Sequence, residues 1–171
     1  GFFAVYSFIA PLVTDVAGSP EWAVPIVLVI VGLGMTVGNL LGGYMADRDL
    51  RRTLVFGMGA MVVVLVLLAL LSFQIVLLAV LAFGIGLVSS VLSPAIQTRL
   101  MDVAGDNQSI AAAMNHSALN IGNSLGAFLG GTVIGLGWGF TAPAWTGAVL
   151  ALVGLGILTI AYRAERVALA A

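Results

Sequence analysis

The segment Gly43–Arg52, GYMADRDLRR, separates two long apolar stretches of this chain and decides how they are arranged. It carries three of the six arginines, Arg48, Arg51 and Arg52, and the chain contains no lysine. The apolar stretch on either side is long enough to cross a bilayer, which takes about 20 residues. Since cationic residues concentrate in short cytoplasmic loops, the segment predicts a cytoplasmic turn between two membrane-spanning helices.

The remaining polar gaps alternate in the same way. Arg99 lies in a second gap, and Arg163 and Arg166 lie in the C-terminal tail. Three gaps contain no arginine: Thr14–Trp22, Ser72–Gln74 and Gly137–Thr141. This alternation predicts a chain that enters the membrane from the cytoplasm, crosses it six times and ends with a cytoplasmic C-terminus.

The composition indicates a membrane protein. Hydrophobic residues make up 61% of the chain and charged residues 8%, against about 45–50% and about 25% in soluble domains. A net charge of -1 with no basic patch gives no reason to expect a nucleic-acid partner. One histidine and no cysteine predict no metal site, and no motif indicates a cofactor.

We predict an all-α membrane protein made of one transmembrane unit, residues 1–171, with six helices. Spans 1 to 6 have the approximate bounds 1–13, 23–46, 53–71, 75–97, 109–136 and 142–162. Span 1 is too short to cross alone, and the chain does not begin with methionine. The expectation is therefore a truncated first helix in a fragment of a longer protein.

The spans differ in polarity. Span 3 has no polar residue in its interior and span 6 has few, so both are expected to face lipid. Spans 1, 2, 4 and 5 carry polar groups, which are costly in a bilayer unless they meet protein or water. The candidate cavity residues are Tyr6, Ser7, Asn39, Ser89, Ser93, His116, Asn120 and Asn123. Hydrogen bonding between helices is the alternative role of the asparagines.

Span 5 combines two faces. His116, Asn120 and Asn123 follow a spacing of i, i+4 and i+7 and share one helical face. Glycines at four-residue spacing form another stripe there and a similar one in span 2, where a second backbone can approach closely. The predicted packing glycines are Gly34, Gly38, Gly42, Gly122, Gly126 and Gly130.

An internal repeat connects the two halves of the chain. Val37–Gly42 (VGNLLG) corresponds to Ile121–Gly126 (IGNSLG), which begins 84 residues later. Ser7–Pro11 (SFIAP) corresponds to Ser90–Pro94 (SVLSP), which begins 83 residues later. Because the paired spans would cross in opposite directions, the pattern predicts two inverted three-helix repeats, as in secondary transporters.

The segment Gly43–Arg52 resembles the cytoplasmic Gly-x-x-x-Asp-Arg-x-Gly-Arg-Arg motif of the major facilitator superfamily, with Leu50 in place of the second glycine. Phe8–Pro11 and Asn115–Gly122 are similar to the drug/proton antiporter branch, which includes bacterial arabinose-efflux and chloramphenicol-efflux permeases. The resemblance covers essentially the whole chain and assigns it to the C-terminal six helices.

The resemblance implies a transporter rather than an enzyme, in a bacterial inner membrane. The expected activity is proton-coupled efflux of small neutral or amphiphilic solutes, such as drugs or sugars, by alternating access. The expected partners are the missing N-terminal six-helix half, the lipid bilayer, a small-molecule substrate and protons. A cytoplasmic gating loop would latch the two halves through Gly43, Asp47, Arg48, Arg51 and Arg52.

The charges of the chain refine this expectation. Asp47 ends span 2, where the helix dipole disfavours an anion, so Arg51 or Arg52 is expected to offset it. His116 is the only titratable residue predicted inside a span apart from tyrosine, and a hydrogen-bonded neutral role is favoured for it. Any proton-carrying carboxylate is therefore expected in the N-terminal half. The alternatives are a non-transporting scaffold module and a six-helix carrier that works as a homodimer.

Overall fold

A computed structural model describes the backbone of residues 1–170 and the side chains of residues 1–165. The described chain is helical, with short turns between its helices. The helices are α1 (Phe2–Tyr6), α2 (Ile9–Pro11), a π-helical turn (Leu12–Val16), α3 (Ala23–Leu71), α4 (Ile75–Ala104), a 3-10 turn (Gly105–Asn107), α5 (Gln108–Gly135) and α6 (Ala142–Ala170). Arg166, predicted on the cytoplasmic side, has its side chain outside the described residues.

Helix α3 is interrupted at Asp49. The helix contains 49 residues, which would measure about 74 Å if it were straight, more than twice the apolar thickness of a bilayer. Asp49 has φ −156° and ψ 88°, which is extended rather than helical backbone. Its Oδ1 accepts a hydrogen bond from the Arg52 amide at 3.0 Å, so Asp49 caps the N-terminus of the helix that follows.

The contacts of α3 with α4 show that the chain reverses direction at this break. Before it, the two helices are parallel, because Gly34 contacts Phe83 and Gly42 contacts Val91. After it they are antiparallel, because Gly57 contacts Leu92 whereas Gly84 contacts Val64. The two parts of α3 therefore run in opposite directions, and the reversal lies within Gly43–Arg52.

The other elements follow from similar contacts. Helix α1 is parallel to α5, since Ala4 contacts Gly126 and Phe8 contacts Gly131. The second part of α3 is antiparallel to α6, since Leu65 contacts Gly147 and Met58 contacts Gly154. By length and composition, three continuous helical stretches could cross a membrane: 23–71, 75–135 and 142–165.

Two elements differ from the sequence-based bounds. Helix α4 extends to Ala104, so Arg99 lies within a helix rather than in a gap. Span 1 is broken after Tyr6, with φ −121° and ψ 25° at Phe8. Pro11 has no amide hydrogen to donate to the carbonyl of Ser7, four residues earlier, which explains why a regular helix does not continue here.

Span 3 was expected to face lipid, and this is correct for one side only. Phe56, Val63, Leu67 and Leu70 are exposed. Met61, Leu65 and Leu68 are buried against the bundle. An all-apolar sequence gave no indication of which face packs, because both lipid and protein interior accept the same side chains.

Five of the six predicted packing glycines contact another helix. A Cβ at Gly38 would clash with the backbone carbonyl of Leu87, and Gly34 and Gly42 are similarly close to α4. A Cβ at Gly130 would lie 2.8 Å from the carbonyl oxygen of Ala4, and Gly126 also contacts α1. Gly122 differs: a Cβ there would meet no atom within 4 Å. The prediction for Gly122 is wrong within the described chain, because α1 begins beyond its reach.

Candidate functional site

A cavity of about 490 Å³ lies inside the bundle and contains four of the eight candidate residues. Asn39 comes from the first part of α3, Ser89 and Ser93 from α4, and Asn123 from α5. Two amides and two hydroxyls thus line one space although they are as far as 84 residues apart in sequence. All four can donate and accept hydrogen bonds.

Local sequence places these side chains. Ser89 and Ser93 are four residues apart and therefore lie on one face of α4. Asn39 follows Gly38, where the missing Cβ lets α3 approach the backbone of α4. Asn123 precedes Gly126, which contacts α1, by three residues. The close glycine contacts bring the three helices together, and the polar residues beside them reach the cavity.

The four polar side chains are available to a solute. Several hydroxyls elsewhere bond to their own helix; Thr36, for example, donates to the Gly32 carbonyl at 2.9 Å. Among the described residues, none of the four cavity side chains has such a partner. A polar group in an apolar setting without a partner is costly, so these amides and hydroxyls favour a ligand or water that bonds to them.

The rest of the cavity is mainly apolar, and sequence reasoning missed this wall. It is formed chiefly by Phe2, Phe3, Met35, Met58, Met61, Leu92, Ile96, Leu119 and Leu150. Ser90 also lines the cavity but was not among the candidates; its position one residue after Ser89 could have indicated it. Met58 and Met61 belong to span 3, whose uniform hydrophobicity concealed the inward face.

The other four candidates lie outside this cavity. Tyr6 is 36% exposed and stacks on Phe2, with ring centroids 5.2 Å apart. Ser7 and His116 are exposed. Asn120 lies in a separate shallow depression on α5 with Ile121, Ser124, Leu125 and Phe128. The structure therefore separates Asn120 from Asn123, although the helical spacing places them on one face.

The lining of the cavity is uncharged. Among the described residues, it contains no aspartate, glutamate, histidine, lysine or arginine. The described chain also has no group of three residues suited to bind a metal ion. The arrangement can hydrogen-bond a neutral solute on one side and pack against its apolar surface on the other, which is the usual design of a small-molecule pocket.

The charged residues of Gly43–Arg52 form a different ion pair from the expected one. Arg52 pairs with Asp49, with Nε and Oδ2 3.0 Å apart. Asp47 is exposed and forms no salt bridge among the described residues. The reason is the break in α3: Asp49 starts the following helix, one turn before Arg52, whereas Asp47 ends the preceding one. Arg48 lies over the ring of Tyr44, 5.0 Å from its centroid.

Comparison with known proteins agrees with this arrangement. The sequence model of the major facilitator superfamily matches residues 1–170. The chain is 30% identical over 164 residues to the inner membrane transport protein YdhP of Escherichia coli K12, covering 96% of this chain and 42% of that protein. It is 31% identical to a chloramphenicol resistance protein of Streptomyces lividans, covering 90% of this chain and 39% of that protein.

A further relative is the "Probable sugar efflux transporter" of Helicobacter pylori 26695, 30% identical over 95% of this chain and 42% of that protein. The chain thus spans about two fifths of the length of these relatives. The apolar helices and the inner-membrane relative indicate a multi-pass inner membrane protein. On the match to the family model over residues 1–170, the chain belongs to the major facilitator superfamily.

Proposed function

We propose that this chain is the C-terminal half of a proton-coupled efflux transporter for small neutral or amphiphilic solutes, with the cavity as its share of the binding site. The uncharged, two-sided lining of that cavity carries the proposal. Neutral hydrogen-bonding groups opposite an apolar wall suit solutes such as phenicol drugs or sugars better than multivalent ions. The names of two relatives, a chloramphenicol resistance protein and a sugar efflux transporter, agree with this class.

We propose six crossings arranged as two inverted repeats. Spans 2 and 4 are parallel, spans 1 and 5 are parallel, and span 3 is antiparallel to spans 4 and 6. These directions agree with a six-crossing chain whose arginine-bearing turns are cytoplasmic. In this arrangement the first span of each repeat crosses opposite to its counterpart. Reporter domains fused after residues 50 and 171 should both be cytoplasmic.

The N-terminal half is the proposed partner, because a second half must close the cavity and supply the moving counterpart for alternating access. Relatives more than twice as long support this proposal. The proton-carrying carboxylate is also placed in that half, since no acid lines the described cavity. His116→Gln should leave proton-coupled efflux intact; loss of coupling with retained binding would assign proton transfer to His116.

The binding proposal is tested in the complete transporter with Asn39→Ala and Asn123→Ala. Efflux of radiolabelled chloramphenicol and arabinose from cells is followed with and without a proton gradient. We expect each substitution to weaken apparent affinity for a transported probe by about two- to tenfold, as the loss of one neutral hydrogen bond would. Thr159→Ala, which removes a hydroxyl bonded to the Gly156 carbonyl outside the cavity, is the matched control.

Equal effects of the cavity and control substitutions would contradict the assignment of the site. A complete protein that moves neither probe, and whose melting temperature neither probe raises, would favour the scaffold alternative. Transport by this chain expressed alone would instead support the homodimeric carrier. The three readings therefore give different results in one set of strains.

A further inference from the structure

Tyr162 lies between two arginines at the cytoplasmic end of α6. Its ring centroid is 4.9 Å from Cζ of Arg51 and 5.2 Å from Cζ of Arg99. The side chain is 8% exposed, although it stands near the end of the last helix. Guanidinium groups are attracted to the face of an aromatic ring at these distances, more strongly where water is excluded.

Arg99 is held at a second point. Its Nη2 donates to Oε2 of Glu165 at 2.8 Å. Glu165 follows Tyr162 by three residues on α6 and lies on nearly the same helical face. The ring and the carboxylate of α6 thus hold the same α4 guanidinium, and the ring also reaches Arg51 of α3.

These contacts bridge a gap. Below the cavity, α4 and α6 are separated by an apolar groove of about 420 Å³. Its walls include Ile96, Leu100 and Val103 on α4 and Ile157, Leu158 and Ala161 on α6. In the part of the chain with described side chains, the Arg99–Glu165 pair is the one salt bridge that joins these two helices. The cytoplasmic ends therefore depend on it and on Tyr162 for their alignment.

Arg51 has a different environment from its neighbour. Arg52 is paired with Asp49 in its own turn, whereas Arg51 has no carboxylate partner among the described residues. A guanidinium over a ring face keeps its in-plane N–H donors available. Tyr162 can therefore hold Arg51 in position without neutralising it, and Arg51 can bind an acceptor outside this half.

We propose that Tyr162 is a positioning residue for the cytoplasmic gating loop: it fixes Arg51 relative to α4 and α6 so that its free donors can latch the N-terminal half. The inference rests on the proposed function. A merely structural ring would require only its volume. A positioning ring requires its aromatic face and does not require its hydroxyl.

The test compares Tyr162→Phe and Tyr162→Leu in the complete transporter. The Phe variant keeps the ring face, and we expect its chloramphenicol efflux within twofold of the parent. The Leu variant loses both arginine contacts, and we expect turnover to fall about five- to thirtyfold with an unchanged apparent KM. Arg51→Ala should lower turnover similarly, and the double variant should lose little more. Phe56→Leu, an exposed aromatic without an arginine contact, is the control.

A second measurement does not depend on transport. The chain contains no cysteine, so spin labels can be placed at Asp47 and Ala164, with any cysteines elsewhere in the complete protein replaced. The distance distribution between them should broaden in Tyr162→Leu and stay narrow in Tyr162→Phe. Unchanged distributions and unchanged turnover in Tyr162→Leu would overturn the proposal. Broadening in a protein that transports neither probe would support the positioning role and reject the proposed function.

Discussion

The two glycine stripes of this protein have the same spacing but different neighbours. In α3, Gly34, Gly38 and Gly42 all lie against the backbone of α4. In α5, Gly126 and Gly130 contact α1, whereas Gly122 faces open space. A repeat of small residues indicates that a helix can be approached closely, but the partner decides which residues are approached.

The difference also concerns what each glycine touches. At Gly38 the obstacle to a side chain is the backbone of α4, which cannot move without shifting the helix. At Gly130 it includes the Phe8 ring, whose rotation can relieve part of the overlap. The α3–α4 contact is thus the rigid part of the bundle, and the α1–α5 contact is more tolerant. Substitutions at the glycines test this comparison.

The largest effect is expected for Gly38→Val. Its Cβ would overlap the Leu87 carbonyl and lie 2.9 Å from Cβ of Ser90, so α3 and α4 must separate. We expect the free energy of unfolding in detergent micelles to fall by about 3 kcal/mol or more, as for severe overpacking. Gly32→Val, on the same helix with no atom within 4 Å of the new Cβ, is the control. A similar loss in both variants would contradict the role of the contact.

A smaller effect is expected for Gly130→Ala. The new Cβ would lie 2.8 Å from the Ala4 carbonyl oxygen and 2.9 Å from Cε2 of Phe8. We expect a loss of about 1–2 kcal/mol in the same unfolding assay, since the ring can rotate but the carbonyl cannot. Gly131→Ala, where the nearest atom is 3.4 Å away, should change stability much less. An effect as large as that of Gly38→Val would remove the distinction between the two stripes.

Gly126→Ala is expected to be intermediate within its stripe. Its Cβ would lie 3.2 Å from the amide nitrogen of Ala4, a contact that a shift of a few tenths of an ångström relieves. Alanine also favours the helix over glycine by about 1 kcal/mol, which offsets part of the cost. The melting temperature should therefore stay within about 2 °C of the parent. A drop comparable to that of Gly130→Ala would show that α1 cannot move against α5.

The smallest loss is expected for Gly122→Ala, which should be neutral or stabilising by up to about 1 kcal/mol because only helix propensity changes. Unfolding in detergent measures this directly. The same variant in the transport assay sharpens the comparison. Unchanged stability with impaired efflux would mean that Gly122 faces the proposed N-terminal half, whereas a large loss of stability would show that a contact at this position has been overlooked.

The candidate site was predicted from the sequence in half of its residues. Asn39, Ser89, Ser93 and Asn123 were found because a polar group at membrane depth needs a partner or water. His116 and Asn120 follow the same logic but lie outside the cavity. Helical spacing groups residues on a face without saying what that face meets. The methionines Met58 and Met61 were missed because a residue equally at home in lipid and in a cavity wall gives no signal.

The sequence by itself determined the class of protein, the positions of the apolar helices and the reversal within Gly43–Arg52, because hydrophobic length and arginine placement act locally. Tertiary structure decided which glycines pack, which amides share a cavity, and that Arg52 pairs with Asp49 rather than Asp47. It also brought Tyr162 to Arg51 across 111 intervening positions. These outcomes depend on the relative rotation and depth of whole helices, which no short stretch of residues specifies.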